Sequence, residues 1–135
     1  MIRRYLESRL RRSFAHFPAV LLTGARQVGK TTLLRALAAD VWKARFVNLD
    51  DRTTLDAALQ DPDGFIRGLP RPAVIDEVQR APDLLRAIKV AVDEARKPGQ
   101  FVLSGSANVL TLARVSETLA GRVAVHELHP FAWAE

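Results

Sequence analysis

Residues 24–31, Gly-Ala-Arg-Gln-Val-Gly-Lys-Thr, match the pattern G-x-x-x-x-G-K-[ST] and restrict the fold of this chain more than any other feature. The pattern follows a short apolar run, residues 19–23, and precedes a run of good helix formers, residues 30–41. A continuous apolar run without alternation is typical of a strand buried on both faces of a parallel sheet. A glycine-rich turn between such a strand and a helix is the setting in which this pattern binds phosphate. The sequence therefore predicts an α/β fold built around a phosphate-binding loop.

Further apolar runs and helical patterns alternate along the rest of the chain. The apolar runs lie at residues 44–49, 73–75, 101–103 and 123–125. The helical patterns lie at residues 2–14, 30–41, 54–66 and 83–96. Strands that alternate with helices indicate a parallel sheet with right-handed crossovers and helices on both faces. We expect a three-layer α/β core at residues 18–135, with an amphipathic basic helix at residues 1–17 packed on it.

The composition fits one globular domain of 135 residues, of which 48% are hydrophobic. The absence of Cys excludes disulfides, thiolate zinc sites and cysteine nucleophiles. No apolar run reaches the roughly 20 residues that span a bilayer, and no signal-peptide core follows the N-terminal arginines. We therefore expect a cytoplasmic protein without a membrane partner.

The net charge of +5 is concentrated at the N-terminus, because residues 1–39 carry eight basic side chains and the single acid Glu7. Five of these bases fall in the predicted first helix, namely Arg3, Arg4, Arg9, Arg11 and Arg12. A basic stripe is typical of proteins that bind a phosphate backbone, which makes nucleic acid a candidate partner. The alternative is a solvated helix face, since Glu7 interrupts the stripe and no aromatic platform is expected within it.

The loop residues have distinct expected roles. The glycines let the backbone wrap a phosphate chain, while the amides and the helix dipole supply donors and positive potential. Lys30 reaches the β- and γ-phosphates, and the Thr31 hydroxyl is a magnesium ligand. The predicted binding residues are Gly24, Ala25, Arg26, Gln27, Val28, Gly29, Lys30, Thr31 and Thr32.

Two carboxylates, Asp76 and Glu77, follow the apolar run at residues 73–75. A parallel strand delivers its last side chains to the edge of the sheet where ligands bind in open α/β folds. We expect Asp76 to hold magnesium through its water shell and Glu77 to orient and deprotonate an attacking water. The alternative is a solvated acidic pair at the start of a loop.

The run at residues 101–103 ends in small polar residues, of which Ser104, Ser106 and Asn108 compete for contact with a γ-phosphate. We favour Ser106, which reaches the phosphate or its water if this strand lies between the other two. The alternative is that these residues only turn the chain.

Arg122 directly precedes the last apolar run and is a candidate to donate to transition-state charge, on its own nucleotide or on that of a neighbouring subunit. Arg114 is a second candidate. The alternative for both is a solvated or salt-bridged side chain, because the chain contains sixteen arginines.

Other polar and aromatic residues have simpler expected roles. We expect Asp50 or Asp51 to cap the helix that follows rather than to enter the site. A place against an adenine is the weaker alternative to core packing for Phe14 and Phe17. The histidines His16, His126 and His129 lack the spacing and acidic company of a metal site, so we treat them as structural.

Together these motifs resemble the AAA+ branch of P-loop ATPases, in particular the prokaryotic AAA-domain proteins that carry a C-terminal domain of unknown function. The motifs are residues 23–32, 48–51, 75–82, 103–108 and 119–122. The resemblance implies ATP and Mg²⁺ as ligands, a strand order of 5-1-4-3-2, and self-association. Such proteins usually continue well beyond the fifth strand, whereas this sequence ends at Glu135. We therefore expect an ATPase core without a lid domain, whose C-terminal domain lies outside this sequence.

Three functions follow as hypotheses. The leading one is a magnesium-dependent ATP hydrolase whose nucleotide state drives a conformational change in an attached domain or partner. The second is a switch that binds ATP without turnover, and it differs only in the competence of Glu77 and Arg122. The third is a nucleic-acid-associated ATPase that uses the Arg-rich helix. A small-molecule kinase is disfavoured because the Asp-Glu pair suits water activation.

Overall fold

The computed structural model describes residues 2–24, 29–106 and 108–128, with the backbone alone at residues 2–4, 109 and 111. The elements are, in chain order, α1 (Ile2–Phe14), β1 (Ala19–Gly24), α2 (Lys30–Leu37), β2 (Arg45–Asn48), α3 (Arg52–Gln60), α4 (Pro62–Arg67), β3 (Ala73–Asp76), α5 (Asp83–Ala95), β4 (Phe101–Gly105), α6 (Val109–Thr118) and β5 (Val123–Leu128). A π-helical turn, Ala38–Trp42, extends α2, and a 3-10 turn, Val78–Arg80, follows β3.

The five strands form one parallel sheet in the order β2-β3-β4-β1-β5. Counted from the other edge this is 5-1-4-3-2, so the expected order is confirmed. β1 and β4 lie side by side at the centre, where Thr23 stands opposite Gly105. All strands point the same way, so the residues that follow β1, β3 and β4 lie at one edge of the sheet.

Both faces of the sheet are covered, which accounts for the uninterrupted apolar strands. Successive side chains of a strand point to opposite faces, and in β1 Leu21 joins one apolar cluster while Leu22 joins the other. The first cluster includes residues of α3, α4, α5 and α6, and the second includes residues of α1 and α2. The domain therefore has the expected three layers, which we call the α3–α6 layer, the sheet and the α1–α2 layer.

The first helix is fixed to the sheet by an apolar stripe and one polar contact. Leu6, Leu10 and Phe14 recur every four residues and are buried in the α1–α2 layer. Ser13 Oγ lies 2.8 Å from His126 Nε2 on β5. Burial lowers the pKa of His126 below its usual 6.5, and the charge of Arg9 lowers it further.

One expectation about the helices is wrong, and one helix was missed. One helix was expected at residues 54–66, but α3 ends at Gln60 and α4 begins at Pro62. Pro62 has no N–H to continue a helix, and the Asp61 carboxylate caps the new one by accepting from the Gly64 N–H at 3.0 Å. The helix α6 was not expected.

Among the described residues, no helix is both long enough and apolar enough to cross a bilayer.

Candidate functional site

The phosphate-loop motif lies where β1 ends and α2 begins, at the carboxyl edge of the sheet. Gly29 caps α2 with φ 80°, a left-handed conformation that costs glycine nothing but strains other residues. The helix starts at Lys30, so its first amides point toward the loop. Ala25, Arg26, Gln27 and Val28, which the sequence assigned to phosphate binding, lie outside the described residues.

Lys30 is held by the ends of the two central strands. Its side chain is buried, and Nζ donates to the backbone oxygen of Gly105 at 2.9 Å and to that of Gly24 at 3.4 Å. Nζ also lies 3.6 Å from Glu77 Oε2. The ammonium group is thus fixed where β1, β3 and β4 end, between the loop and the carboxylates.

Asp76 is the centre of a short chain of hydrogen bonds. Its Oδ2 accepts from the hydroxyl of Thr31 at 2.9 Å, and its Oδ1 accepts from the hydroxyl of Ser104. The Ser104 oxygen in turn accepts from the Glu77 N–H at 2.9 Å. Asp76 and Ser104 are fully buried, so these bonds fix the end of β3 against both α2 and β4.

Glu77 adopts a strained backbone conformation at the same edge. Its φ of 64° and ψ of 48° are left-handed, which costs a non-glycine residue roughly 1–2 kcal/mol. The residue is 6% exposed, and Oε1 accepts from Gln79 Nε2 at 3.4 Å. Within the described residues Oε2 has no hydrogen-bond donor in reach, although the Lys30 ammonium faces it. The turn therefore holds a buried carboxylate oriented toward Lys30.

The comparison with protein families fits this geometry. A family described as an AAA domain matches residues 16–135. The chain belongs to that family. The Lys30, Thr31 and Asp76 cluster thus lies in an AAA domain, a class of nucleotide-binding ATPase module.

Two mycobacterial relatives resemble this AAA domain over most of its length. They are the uncharacterized proteins Mb2031c of Mycobacterium bovis and Rv2008c of Mycobacterium tuberculosis, each 42% identical over 127 residues and 93% of this chain. The chain covers 28% of the length of each relative.

A solved structure shares the fold. The crystal structure of a DNA replication initiation factor superposes with a TM-score of 0.56 at 15% identity, over 93% of this chain and 44% of that one. At this identity the likeness shows the fold alone, and it agrees with the strand order described above.

The three polar candidates around β4 have different surroundings in this AAA domain. Ser104 bonds Asp76 and Glu77 as described, so it supports the carboxylates. Asn108 Oδ1 accepts from the Leu110 N–H at 2.7 Å, at the start of α6. Ser106 is half-exposed and directly follows Gly105, whose oxygen contacts Lys30. Of the three, Ser106 stays the candidate for the γ-phosphate, because it lies beside the Gly105 oxygen that contacts Lys30.

Arg122 lies where the strands of the sheet begin, at the end opposite the phosphate loop. Its backbone oxygen accepts from the N–H of Ala19, the first residue of β1, so the length of β1, about 17 Å, separates it from the loop. Its guanidinium binds Asp93 with two contacts of 2.7 and 3.0 Å. The hydrogen bond to Arg122 lowers the pKa of Asp93. The expectation that Arg122 acts on its own nucleotide is therefore wrong, and action on a neighbouring subunit stays a prediction.

Arg114 is exposed on α6 and lines a small cavity of about 110 Å³ together with Gln79 and Leu110. This cavity is on the Glu77 side of the domain, because Gln79 bonds Glu77. Among the described residues, no hydrogen bond or ion pair joins Arg114 to Gly24, Gly29 or Lys30, and its proposed role stays a prediction.

The remaining expectations concern residues outside the cluster. Asp51 caps α3 by accepting from the Thr54 N–H at 3.1 Å, as expected, and the Thr54 hydrogen bonds lower the pKa of its carboxyl. Phe14 packs on Trp42 with ring centroids 4.9 Å apart. Phe17 precedes β1 and so lies at the edge opposite the loop, which makes both adenine alternatives wrong. His129 lies outside the described residues.

Two contacts of the site were not anticipated. Gln79 binds the Glu77 carboxylate, and Arg80 Nε lies 2.5 Å from Asp50 Oδ1, which joins the ends of β2 and β3. Both residues lie in the turn after β3, where helix and strand periodicity give no information. Their closeness to Glu77 in the chain was the only available signal.

Proposed function

We propose that this AAA domain binds ATP with Mg²⁺ at residues 24–32 and hydrolyses it to ADP and phosphate. The observation that carries the proposal is the direct bond between the Thr31 hydroxyl and the Asp76 carboxylate, beside the buried Lys30. This arrangement brings a phosphate-binding helix terminus, a buried cation and two hard oxygen donors to one edge of the sheet. Membership of the AAA family supports the nucleotide as the ligand.

Lys30 would bind the β- and γ-phosphates. Its ammonium group has backbone oxygens as its closest partners, and these are weaker acceptors than a phosphate oxygen. The Gly29 turn and the first amides of α2 add donors on the same side. A polyphosphate placed there would therefore receive both charge and directional hydrogen bonds.

Thr31 and Asp76 fit a magnesium ion. Both offer oxygen, the donor that Mg²⁺ prefers, and the 2.9 Å bond shows that both reach one point. When bound, Mg²⁺ supplies charge that offsets the negative β- and γ-phosphates. Ser104 donates to the other Asp76 oxygen and so keeps the carboxylate aimed at α2.

Glu77 would act as the general base. Its carboxylate accepts a proton from a water as the water oxygen bonds to the γ-phosphorus and the bond to the bridging β–γ oxygen breaks, with ADP as the leaving group. Burial keeps this carboxylate from bulk water, Gln79 donates to it, and the bond from the Glu77 N–H to the Ser104 hydroxyl oxygen fixes the backbone that carries it. Ser106, which follows β4, would contact the γ-phosphate.

The partners of the domain belong to the same proposal. The chain covers 28% of its mycobacterial relatives, so the nucleotide state would act on a further domain of a longer protein. Arg122, remote from its own loop, would act on the nucleotide of a neighbouring copy in a self-associated form. We place this activity in the cytoplasm, where ATP is available.

The test compares ATP binding and single-turnover hydrolysis in the parent, Lys30→Ala and Glu77→Gln. We expect Lys30→Ala to lose most of the affinity, because a charge-assisted contact contributes about 1.5–3 kcal/mol. Glu77→Gln should bind ATP but hydrolyse it roughly 10²–10⁴-fold more slowly. Lys97→Ala and Glu94→Gln are matched controls on exposed positions.

Each result separates the possibilities. Full ATP affinity in Lys30→Ala would overturn the loop assignment. Parent-rate hydrolysis in Glu77→Gln would remove Glu77 as the base. ATP binding without turnover by the parent, in a longer protein that includes the following domain, would identify the domain as a switch.

A further inference from the structure

The exposed side of α1 combines cationic side chains with one aromatic ring. We propose that this surface binds single-stranded nucleic acid, with Tyr5 stacked on a base and Arg9 and Arg12 bound to backbone phosphates. The exposed residues described in α1, which we call the α1 outer face, are Tyr5, Ser8, Arg9, Arg11 and Arg12. This proposal goes beyond ATP binding and uses none of the residues assigned to it.

The ring and two of the cations form one stripe. Tyr5, Arg9 and Arg12 are spaced by four and three residues, which places them on the same side of a helix. Tyr5 is 64% exposed, and the Arg9 guanidinium lies 5.7 Å from its ring centroid. The expectation that no aromatic ring lies within the basic stripe is wrong, because Tyr5 is exposed beside Arg9.

The acid that interrupts the basic run in sequence does not interrupt the surface. Glu7 is two positions from both Tyr5 and Arg9, and residues so spaced point to nearly opposite sides of a helix. It is half-buried, whereas the residues of the α1 outer face are exposed. A polyanion that approaches the stripe therefore meets cations and a ring without an intervening carboxylate from α1.

A membrane fits this surface less well than a nucleic acid does. A helix that lies on a bilayer inserts its apolar face into the membrane and keeps its basic face among the lipid headgroups. The apolar face of α1, formed by Leu6, Leu10 and Phe14, is instead buried against the sheet. The α1 outer face thus offers charge and one exposed ring but no apolar stripe to insert.

The chemistry of the stripe favours a single strand over a duplex. An exposed aromatic ring stacks on any unpaired base, and adjacent Arg side chains follow the backbone phosphates. In a duplex the bases are already stacked on one another, so Tyr5 would have no face to bind. Single-strand binding therefore requires the ring, whereas binding by charge alone does not.

The stripe is fixed to the layer that carries the phosphate-loop helix. Leu10 of α1 and Leu33 of α2 belong to the same apolar cluster, and α2 starts at Lys30. The Ser13 contact to His126 also fixes α1 to β5, which pairs with β1. A bound strand would rest on a rigid part of the domain rather than on a detached tail.

The test is fluorescence anisotropy of a labelled oligodeoxythymidylate with the full chain, without ATP, at several salt concentrations. We expect Tyr5→Ala to weaken binding about tenfold and Tyr5→Phe to retain it, because the phenyl ring still stacks. The double variant Arg9→Gln/Arg12→Gln should reduce the slope of log affinity against log salt by about 1.4, the value for two lost single-strand phosphate contacts. Circular dichroism checks that each variant is folded.

The control variant is Arg67→Gln/Arg86→Gln, which removes two exposed arginines from the other side of the sheet, on α4 and α5. The proposal is overturned if the parent does not bind at 50 mM salt, or if the control reduces the slope as much as the α1 variant. It is also overturned if Tyr5→Ala binds like the parent, or if duplex DNA or phosphatidylglycerol vesicles bind more tightly than the single strand. Since ATP is absent, none of these results depends on the proposed hydrolysis.

Discussion

The hydroxyl oxygen of Thr31 lies 2.9 Å from a carboxylate oxygen of Asp76, so the first turn of α2 is joined directly to the end of β3. Both residues are held by regular secondary structure, because Asp76 is buried at the end of β3 and Thr31 lies in the first turn of α2. The contact ties the phosphate loop to the carboxylates without any flexible segment between them.

Removing the Thr31 hydroxyl should raise the Mg²⁺ concentration that ATP binding requires. Loss of a partner of a metal ligand typically costs 10–100-fold in metal affinity, and loss of a ligand should cost at least as much, so we expect Thr31→Ala to require at least roughly tenfold more Mg²⁺. Calorimetric ATP titrations at stepped Mg²⁺ concentrations measure this. Thr53→Ala, an exposed threonine on α3, is the matched control. A Thr31→Ala variant with the parent magnesium dependence would contradict the assignment.

Ser104→Ala should destabilise the domain by about 1–3 kcal/mol, because it leaves the buried Asp76 oxygen and the Glu77 N–H without their partner. Urea unfolding measures the loss of free energy. Ser116→Ala, on the exposed side of α6, should change it by less than about 0.5 kcal/mol. If Ser104→Ala unfolds like the parent, the bridge between the two acidic residues does not contribute to stability.

Arg122→Gln should raise the pKa of Asp93 toward its ordinary value of 3.8, since the hydrogen bond to Arg122 is what lowers it. A carboxyl with a lowered pKa stabilises the fold above 3.8 and loses that contribution as the pH falls through its folded value. Nuclear magnetic resonance titration of the Asp93 carboxyl measures the shift. Arg86→Gln is the control, and loss of ATP affinity by a single copy of Arg122→Gln would contradict the remote position described above.

The stability of the domain should fall as the pH drops below 6.5, because the folded state disfavours protonated His126. When folding lowers the pKa of a histidine, the unfolded chain binds more protons than the folded one. The free energy of unfolding therefore rises with pH in this range. One such group contributes a slope of at most about 1.4 kcal/mol per pH unit.

Unfolding of His126→Gln and of the exposed control His16→Gln, measured by urea at several pH values, tests this contribution. The slope should decrease only in the first variant. An unchanged slope in His126→Gln would assign the acid sensitivity to other groups.

The sequence was sufficient for the parts of the site that depend on strand ends and fixed spacing. Gly29, Lys30 and Thr31 belong to a fixed motif that follows the apolar strand β1, and Asp76 ends the apolar strand β3. Strand order came from the family resemblance, since apolar runs alone do not say which strands are neighbours. The carboxylates and the loop then had to meet at one edge.

The role of Ser104 was missed although strand periodicity contains a signal for it. Val102 and Val74 point to the α1–α2 layer, and residues two positions further on, Ser104 and Asp76, share that direction. The bond between them follows once β3 and β4 are known to be neighbours. The choice between Ser104 and Ser106 therefore needed topology, which the composition of the loop does not supply.

Local patterns left a wrong alternative open for Arg122 and missed the helix α6. A residue that precedes a parallel strand lies at the edge where β1 begins, so strand direction alone removes Arg122 from its own loop. In α6 a signal was available, because Leu112, Val115 and Leu119 are spaced by three and four residues and pack in the α3–α6 layer. The exposed Leu110 and the polar residues between them made this stripe less evident than those of the other helices.

The separation between Arg122 and the phosphate loop gives the domain two unlike ends. A two-fold symmetric pair could make a contact between the arginine of one copy and the loop of the other twice, side by side and antiparallel. A head-to-tail contact would instead join different surfaces, and each copy added in this way would leave one free arginine and one free loop. Such a series either closes into a ring or continues as a helical filament, and its direction is set by the direction of β1.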